Sequence, residues 1–462
     1  MSRTRKILLL LLSLLIMGLF VIPTSTMEND LPINGADTAW MLTATVLVFF
    51  MTPGLSFFYG GMVSKENIIS TMLQSFISLG VVSIIWVVVG FSLSFGDDIG
   101  GIIGNPFTYF MFRNVGLSPH ADFAPTFPFL IFAMFQLKFA IITPAIITGS
   151  FAERIKFDSY LIFIVLFSIF IYTPLAHMVW HPEGILRKIG ILDFAGGTVV
   201  HMSAGYAALA GAIILGKRRV LKNSEGEAHN PVNIPFILLG TGMLWFGWFG
   251  FNAGSALGAN KDAALAFGTT ALASASGMIS WILYDRIMGR KVSAVGAAIG
   301  AVIGLVAITP GAAYVTLGQS VFIGFAGSMI SNIALYYKNK KGLDDTLDVF
   351  PCHGIGGISG MVLTAIFAKN TGLIYGDYVS FFIHMGALVG VSIFTFGGAY
   401  LLFKITDKIS PLRVDKEEEK IGLDISQHGE TYVATNYRKI EDEPRVAITR
   451  SYFIKKRKSK SS

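Results

Sequence analysis

DFAGGTVVHMSAG, residues 193–205, and DVFPCHGIGGISG, residues 348–360, are two segments built to one plan. Each opens on an aspartate, Asp193 or Asp348. Each then carries one histidine, His201 or His353, in an otherwise apolar, glycine-rich run, and each histidine is followed four residues later by glycine, Gly205 or Gly357. Histidine is costly in hydrocarbon and is seldom placed there without a partner. If the two segments are matched halves of a repeat, their imidazoles can meet and form one site; the alternative is two separate histidines satisfied by backbone carbonyls.

The rest of the chain has the composition of a membrane protein. Of its 462 residues 53% are hydrophobic and only 14% charged, and its mean hydropathy is +0.62. A soluble domain of this size would need more charge on its surface. The 50 glycines suit helices that must approach closely, because lipid gives them no hydrophobic drive to associate. The single cysteine, Cys352, excludes an intrachain disulfide and a thiolate metal cage. No nucleophile–base pair or cofactor loop is present, so an enzyme is not expected and no cofactor is called for. The net charge of +7 is spread over short connections and the tail, which argues against nucleic acid as a partner.

Residues 1–26 resemble a signal peptide: Arg3, Arg5 and Lys6 precede an apolar run from Ile7 to Ile22. A retained first helix is the alternative, because the cleavage motif is weak. Hydropathy then predicts eleven spans near 39–61, 67–95, 127–150, 158–181, 194–216, 232–253, 262–287, 292–309, 314–337, 349–368 and 378–404. One alternating set of loops holds thirteen basic residues, from Lys65 to Lys341, and the other holds five. The positive-inside rule puts the first set in the cytoplasm, with residue 27 onward starting outside and the C-terminus inside. The spans of His201 and His353 are then antiparallel and five apart, as an inverted five-plus-five repeat around a central pore requires. The eleventh span is an addition to it. Residues 405–462 form a cytoplasmic tail. Its end, 445–460, is strongly basic, either as a solvated terminus or as a stretch drawn to anionic lipid.

Four motifs carry a resemblance. DFAGGTVVH (193–201), WFGWFGFNAGSA (245–256), FAERIKF (151–157) and DVFPCHGIGG (348–357) look like signatures of the Amt/Mep/Rh ammonium transporter family, on the Amt side. The resemblance covers residues 36 to 430. It implies an all-α polytopic membrane protein, a homotrimer with one pore per subunit, ammonium or methylammonium as the solute, and a cytoplasmic PII-type signal protein as partner. It also implies that His201 and His353 are a twin-histidine pair lining a narrow hydrophobic pore. A neutral imidazole offers one donor and one acceptor nitrogen, and its ordinary pKa near 6.5 lets it hold or pass a proton. No third or fourth ligand stands near the pair, which argues against a metal. His177 and His384 lack the matched context and are read as structural or lipid-facing.

The aromatic residues have a bland reading and a sharper one. Phe135 and Phe139 share a helix face, as do Trp248, Phe251 and Ser255; stripes at this spacing are ordinarily core. The resemblance instead gives Phe139, Trp180 and Ser255 an outer site that recruits a cation. The ring faces there attract it by about 0.5–2 kcal/mol. It makes Phe139 and Phe251 a stacked phenyl gate below, with Phe135 and Trp248 in the pore wall. Asp193 reads as a helix cap and dipole partner, with electrostatic support of the cation as the alternative. Asp345 and Asp348 mark the inner end of the tenth span, and Asp348 is expected to cap it. Lys138, inside an apolar span, is expected to pair or snorkel. A bare cation in a medium of low dielectric costs on the order of 20 kcal/mol. Ammonium is therefore expected to lose its proton near the gate and to pass the histidines as ammonia. Two rival functions stand beside this one: an ammonium sensor that signals through the tail, and a proton-coupled carrier for another small amine or gas.

Overall fold

The computed structural model describes residues 12–13, 16–21, 31–219 and 231–432. The basic start and cleavage motif expected within 1–26, and the basic end 445–460, lie outside the described residues. Within them eleven helices are long and apolar enough to cross a membrane. They are α1 (Gly35–Met62), α2 (Lys65–Phe95), α3 (Phe129–Ser150), α4 (Phe157–Lys188), α5 (Gly197–Leu215) and α6 (Ile234–Gly254). They continue with α7 (Lys261–Ile287), α8 (Ala294–Gly311), α9 (Leu317–Lys341), α10 (Phe350–Phe367) and α11 (Tyr378–Ile409). The first five and next five spans are the two halves, and α11 follows outside them.

Local chemistry sets the ends of these helices. Asn34, Asn233, Asn260, Ser293, Thr316 and Asp377 each accept a backbone N–H of the first turn they precede. Such caps satisfy donors that would otherwise be orphaned. Thr316 and Gln319 complete a reciprocal capping box, and Gly342 closes α9 at φ +68°, a conformation that favours glycine. Only α4 departs from its expected boundary by more than five residues. Its helix proper ends at Trp180, and a short turn, Ile185–Lys188, extends the element.

Two starts matter for the site, and the first differs from the hydropathy reading. α5 begins at Gly197, three residues later than expected, because Asp193 holds the preceding backbone open and Gly196 stands at φ +117°. α10 begins at Phe350 behind Asp345. Both open with turns of i→i+5 bonding that contain the histidines. Such wide turns are rare and tend to occur at functional sites.

α3, α5 and α8 lie deepest, whereas α11 turns most of its surface outward. The connection 96–128 is more than a loop. It contains a small antiparallel hairpin, β1 (Asp98–Ile99) with β2 (Ile103–Gly104), and it folds over the far face, the one opposite the basic loops. Its Phe123 reaches into the rings of Phe95, Phe129 and Phe132.

Candidate functional site

The site is built where α5 and α10 cross. A Cβ on Gly205 would overlap the backbone of Gly354, and one on Gly357 would lie 2.9 Å from the Gly197 oxygen and 3.2 Å from the His201 Cβ. Glycine at these points lets the two backbones touch. The contact leaves His201 Nδ1 3.2 Å from His353 Nδ1, with the ring centroids 5.3 Å apart and the planes 25° from parallel. Both rings are buried. His201 Nε2 has no hydrogen-bond partner.

These imidazoles line a narrow space of about 10 Å³, room for roughly one water-sized molecule. Apart from the two histidines and the Trp248 indole, its wall is hydrocarbon and thioether: Met51, Leu55, Phe58, Ile142, Ile146, Val200, Leu244, Phe251 and Val302. Trp248 stacks on His201 at 5.4 Å, and its indole N–H is bound 2.9 Å away by the Thr309 hydroxyl. The indole is therefore fixed and contributes a wall rather than a free donor.

A second, larger cavity of about 390 Å³ opens toward the far face. Phe139, Trp180 and Ser255 all line it, with Asp122, Gln136, Arg187, Asp193 and Tyr314. Trp180 meets Phe139 edge-on at 5.8 Å, and its indole N–H donates to the Asp193 carbonyl. The Ser255 hydroxyl donates to the Phe251 carbonyl at 2.8 Å, so its oxygen keeps lone pairs for a ligand. Burial raises the Tyr314 phenol above its ordinary pKa of 10, which keeps that hydroxyl protonated.

Phe139 faces the vestibule and Phe251 the inner space, and their rings stack at 4.2 Å with 29° between planes. The two phenyls are thus the partition between the cavities. Phe135 lines neither. It lies behind Phe139, edge-on at 5.0 Å, and fills the space beside Gly254, so it backs the Phe139 ring and is not in the cavity wall expected for it.

The acidic residues divide by role. Asp193 accepts the backbone N–H of Gly196, Gly197 and Thr198 at 2.6–2.8 Å, and also the Thr198 hydroxyl. On the other half, Asp345 accepts from Val349 and Phe350. The expectation that Asp348 caps α10 is corrected here: Asp348 stands at φ +59° and turns to the ammonium of Lys338. Burial pushes its carboxyl up to about 6 against the pull of Lys338.

The remaining polar residues of the spans are also placed. His177 is buried, between the Ser94 carbonyl and the Asp98 carboxylate, and His384 accepts the Leu192 N–H and meets the Ser380 carbonyl. Both are structural and neither faces lipid. Lys138 lines neither cavity and lies 5.4 Å over the Phe49 ring. Among the described residues no three metal-ligating side chains converge. Gln136 was not singled out by the sequence reading. The signal was there, since it is a lone amide in an apolar span, on one face with Phe132 and Phe139.

Comparison with known proteins adds a family to this geometry. The Ammonium Transporter Family matches residues 39–433. An ammonium transporter of Bacillus subtilis is 43% identical over 402 residues, 85% of this chain and 97% of that protein. A putative ammonium transporter of Methanothermobacter thermautotrophicus is 43% identical over 409 residues, 86% and 98% of the two chains. Among solved structures, Saccharomyces cerevisiae Mep2 is 32% identical with a TM-score of 0.81, covering 89% of this chain and 95% of Mep2. A sensor Amt protein is 30% identical with a TM-score of 0.77, covering 85% and 98%.

Proposed function

The chain belongs to the ammonium transporter family, and from that membership we propose that it takes up ammonium at the far face and conducts ammonia past the histidine pair. The observation that carries this reading is the order of the parts. A vestibule with aromatic faces and a hydroxyl is followed by a stacked phenyl partition, and then by an apolar space whose wall has two imidazoles and no carboxylate.

Each part has a physical task. The faces of Phe139 and Trp180 attract a cation, and the Ser255 oxygen accepts one of its N–H bonds. Beyond the phenyls an ammonium ion would shed its hydration, at a cost on the order of 20 kcal/mol, with no counter-charge in the wall. Ammonia crosses at far lower cost and hydrogen-bonds to His201 and His353. Potassium has no proton to release and stops at the gate. His201 and His353 are also the relay for that proton, through their 3.2 Å contact. Asp193 and Asp345 hold the turns that aim the two rings.

By the positive-inside rule we take the face of the basic loops as cytoplasmic and the vestibule as outside, in a plasma membrane. The functional assembly is a homotrimer, one pore per subunit. The cytoplasmic mouth and the tail segment around Gly422–Glu430 form the regulatory surface for a PII-type protein.

The test replaces His201 and His353 by alanine, alone and together, and records ammonium and methylammonium currents in proteoliposomes. The expected result is loss of the current or leak of potassium. Unchanged flux with potassium still excluded would remove the histidines from conduction and selectivity. Similarity to a sensor Amt protein supports a second reading, in which occupancy is signalled through the tail. Growth of an ammonium-uptake-deficient cell on low ammonium separates the two: rescue supports transport, and no rescue supports sensing.

A further inference from the structure

We propose that Gln136 is a further ligand for the incoming cation, its side-chain carbonyl oxygen accepting an N–H bond just before the phenyl gate. The inference rests on the vestibule being where ammonium arrives. Gln136 stands four residues after Phe132 and three before Phe139, one face of α3, and all three line the vestibule. The residue is 9% exposed, and its amide oxygen has no hydrogen-bond partner. A leucine or methionine would fill the same volume with no unmatched atom. An amide held there with an idle acceptor therefore points to a donor that comes and goes.

The chemistry of that donor follows from its neighbours. Phe139 and Trp180 line the same cavity, set edge to face, and the Ser255 oxygen is an acceptor because its own proton goes to Phe251. Ammonium carries four N–H bonds at tetrahedral angles. Two aromatic faces and one hydroxyl oxygen match three of them, and the fourth needs another acceptor. Asp193 cannot serve, since its carboxylate already holds four donors. The oxygen and nitrogen of an amide are near-isosteric ends of one plane, and its last torsion is broad and two-fold. Half a turn brings the Gln136 oxygen to the vestibule without displacing a neighbour. Gln136 thus adds a dipolar acceptor that favours N–H cations over a bare ion, without the permanent charge that would trap them.

The experiment measures initial transport rate against ammonium concentration at fixed pH in proteoliposomes, for Gln136→Leu, Gln136→Met, Gln136→Glu and Ser255→Ala. Loss of one hydrogen bond to a cation predicts a half-saturating concentration raised roughly tenfold in the Leu and Met variants, with the saturated rate falling far less. Gln136→Glu keeps an acceptor, and its half-saturation is expected at or below that of the unaltered protein, with stronger dependence on salt. A Leu or Met variant that loses rate but keeps its half-saturation has lost packing, and overturns the proposal. If one of them fails to fold, the other and Gln136→Glu decide: a Glu half-saturation raised as far as that of an apolar variant overturns it too. Ser255→Ala separates this idea from its premise. A shift there with none at Gln136 defeats the ligand role alone, and no shift at either position defeats the vestibule as the site of recruitment.

Discussion

At Asp193 the arrangement of donors decides between two roles for one carboxylate. Three backbone N–H groups and the Thr198 hydroxyl occupy it, so it has little left to offer a cation directly. Its work is to hold the turn that delays the start of α5. Asp193→Ala orphans those donors, with a cost of about 2–4 kcal/mol from lost cap and unmatched groups. The thermal midpoint in detergent is expected to drop, and transport with it. Asp193→Asn keeps an acceptor oxygen and is expected to recover part of both. An Asn variant with an unchanged midpoint and no transport would show that the charge itself serves the cation. Asp193 was legible in the sequence as a helix cap. Phe135 was less so, because spacing alone does not tell which of two rings on one face points into a cavity.

For the helices, the crossing of α5 with α10 controls the distance between the histidines. A methyl group at Gly357 would press on the Gly197 carbonyl and the His201 Cβ. Overpacking of this kind costs about 1–3 kcal/mol, and it acts directly on the 3.2 Å contact of the rings. Gly357→Ala is therefore expected to lower the ammonium transport rate more than its effect on the thermal midpoint alone would explain. Gly390→Ala on α11 meets nothing within 4 Å and is expected to be tolerated in both measurements. Hydropathy located every span because about 20 apolar residues are needed to cross a bilayer. It placed the start of α5 three residues early, because hydrogen bonds to Asp193 set that point and leave no mark on an average of hydrophobicity, whereas the start of α10 falls within one residue of its expected place. The hairpin at 98–104 was missed for a related reason, being held over the far face by packing and by the His177–Asp98 contact.

Across the whole molecule, the basic face is tied together by buried ions. Arg218 from the α5–α6 connection binds Glu153 at 2.7 Å and spans both oxygens of Asp344 at 3.0 Å, joining three connections. Arg413 beyond α11 reaches the Leu215 and Lys217 carbonyls, and Asp424 accepts the Ile69 and Ser70 N–H groups at the start of α2. Burial alone would raise the Asp344 carboxyl. The hydrogen bonds and charge of Arg218, with help from Arg154, outweigh it and hold the group below its ordinary 3.8. A depressed carboxyl contributes stability above its unfolded pKa, and loses it as pH falls through the folded value. The thermal midpoint is expected to be insensitive to this group from pH 5 to 8 and to fall below pH 4. Arg218→Gln removes the guanidinium that Glu153 and Asp344 share, at a cost on the order of 3 kcal/mol, and should lower the midpoint already at pH 7. An unchanged midpoint at pH 7 would mean that the cluster does not hold the loops.

The sequence by itself determined the class of fold, the number of spans and, through its motifs, the resemblance to a family. These are properties of length, hydropathy, charge placement and motif, all of which are written along the chain. Tertiary structure alone decided that two imidazoles end 3.2 Å apart, that Phe139 and Phe251 stand between two cavities, that Asp345 rather than Asp348 caps α10, and that Gln136 lines the larger cavity while its amide oxygen is buried without a hydrogen-bond partner. The physical reason is that distances between spans depend on where glycines let backbones touch and on which donors claim each carboxylate. Both are pairwise facts between residues far apart in the chain.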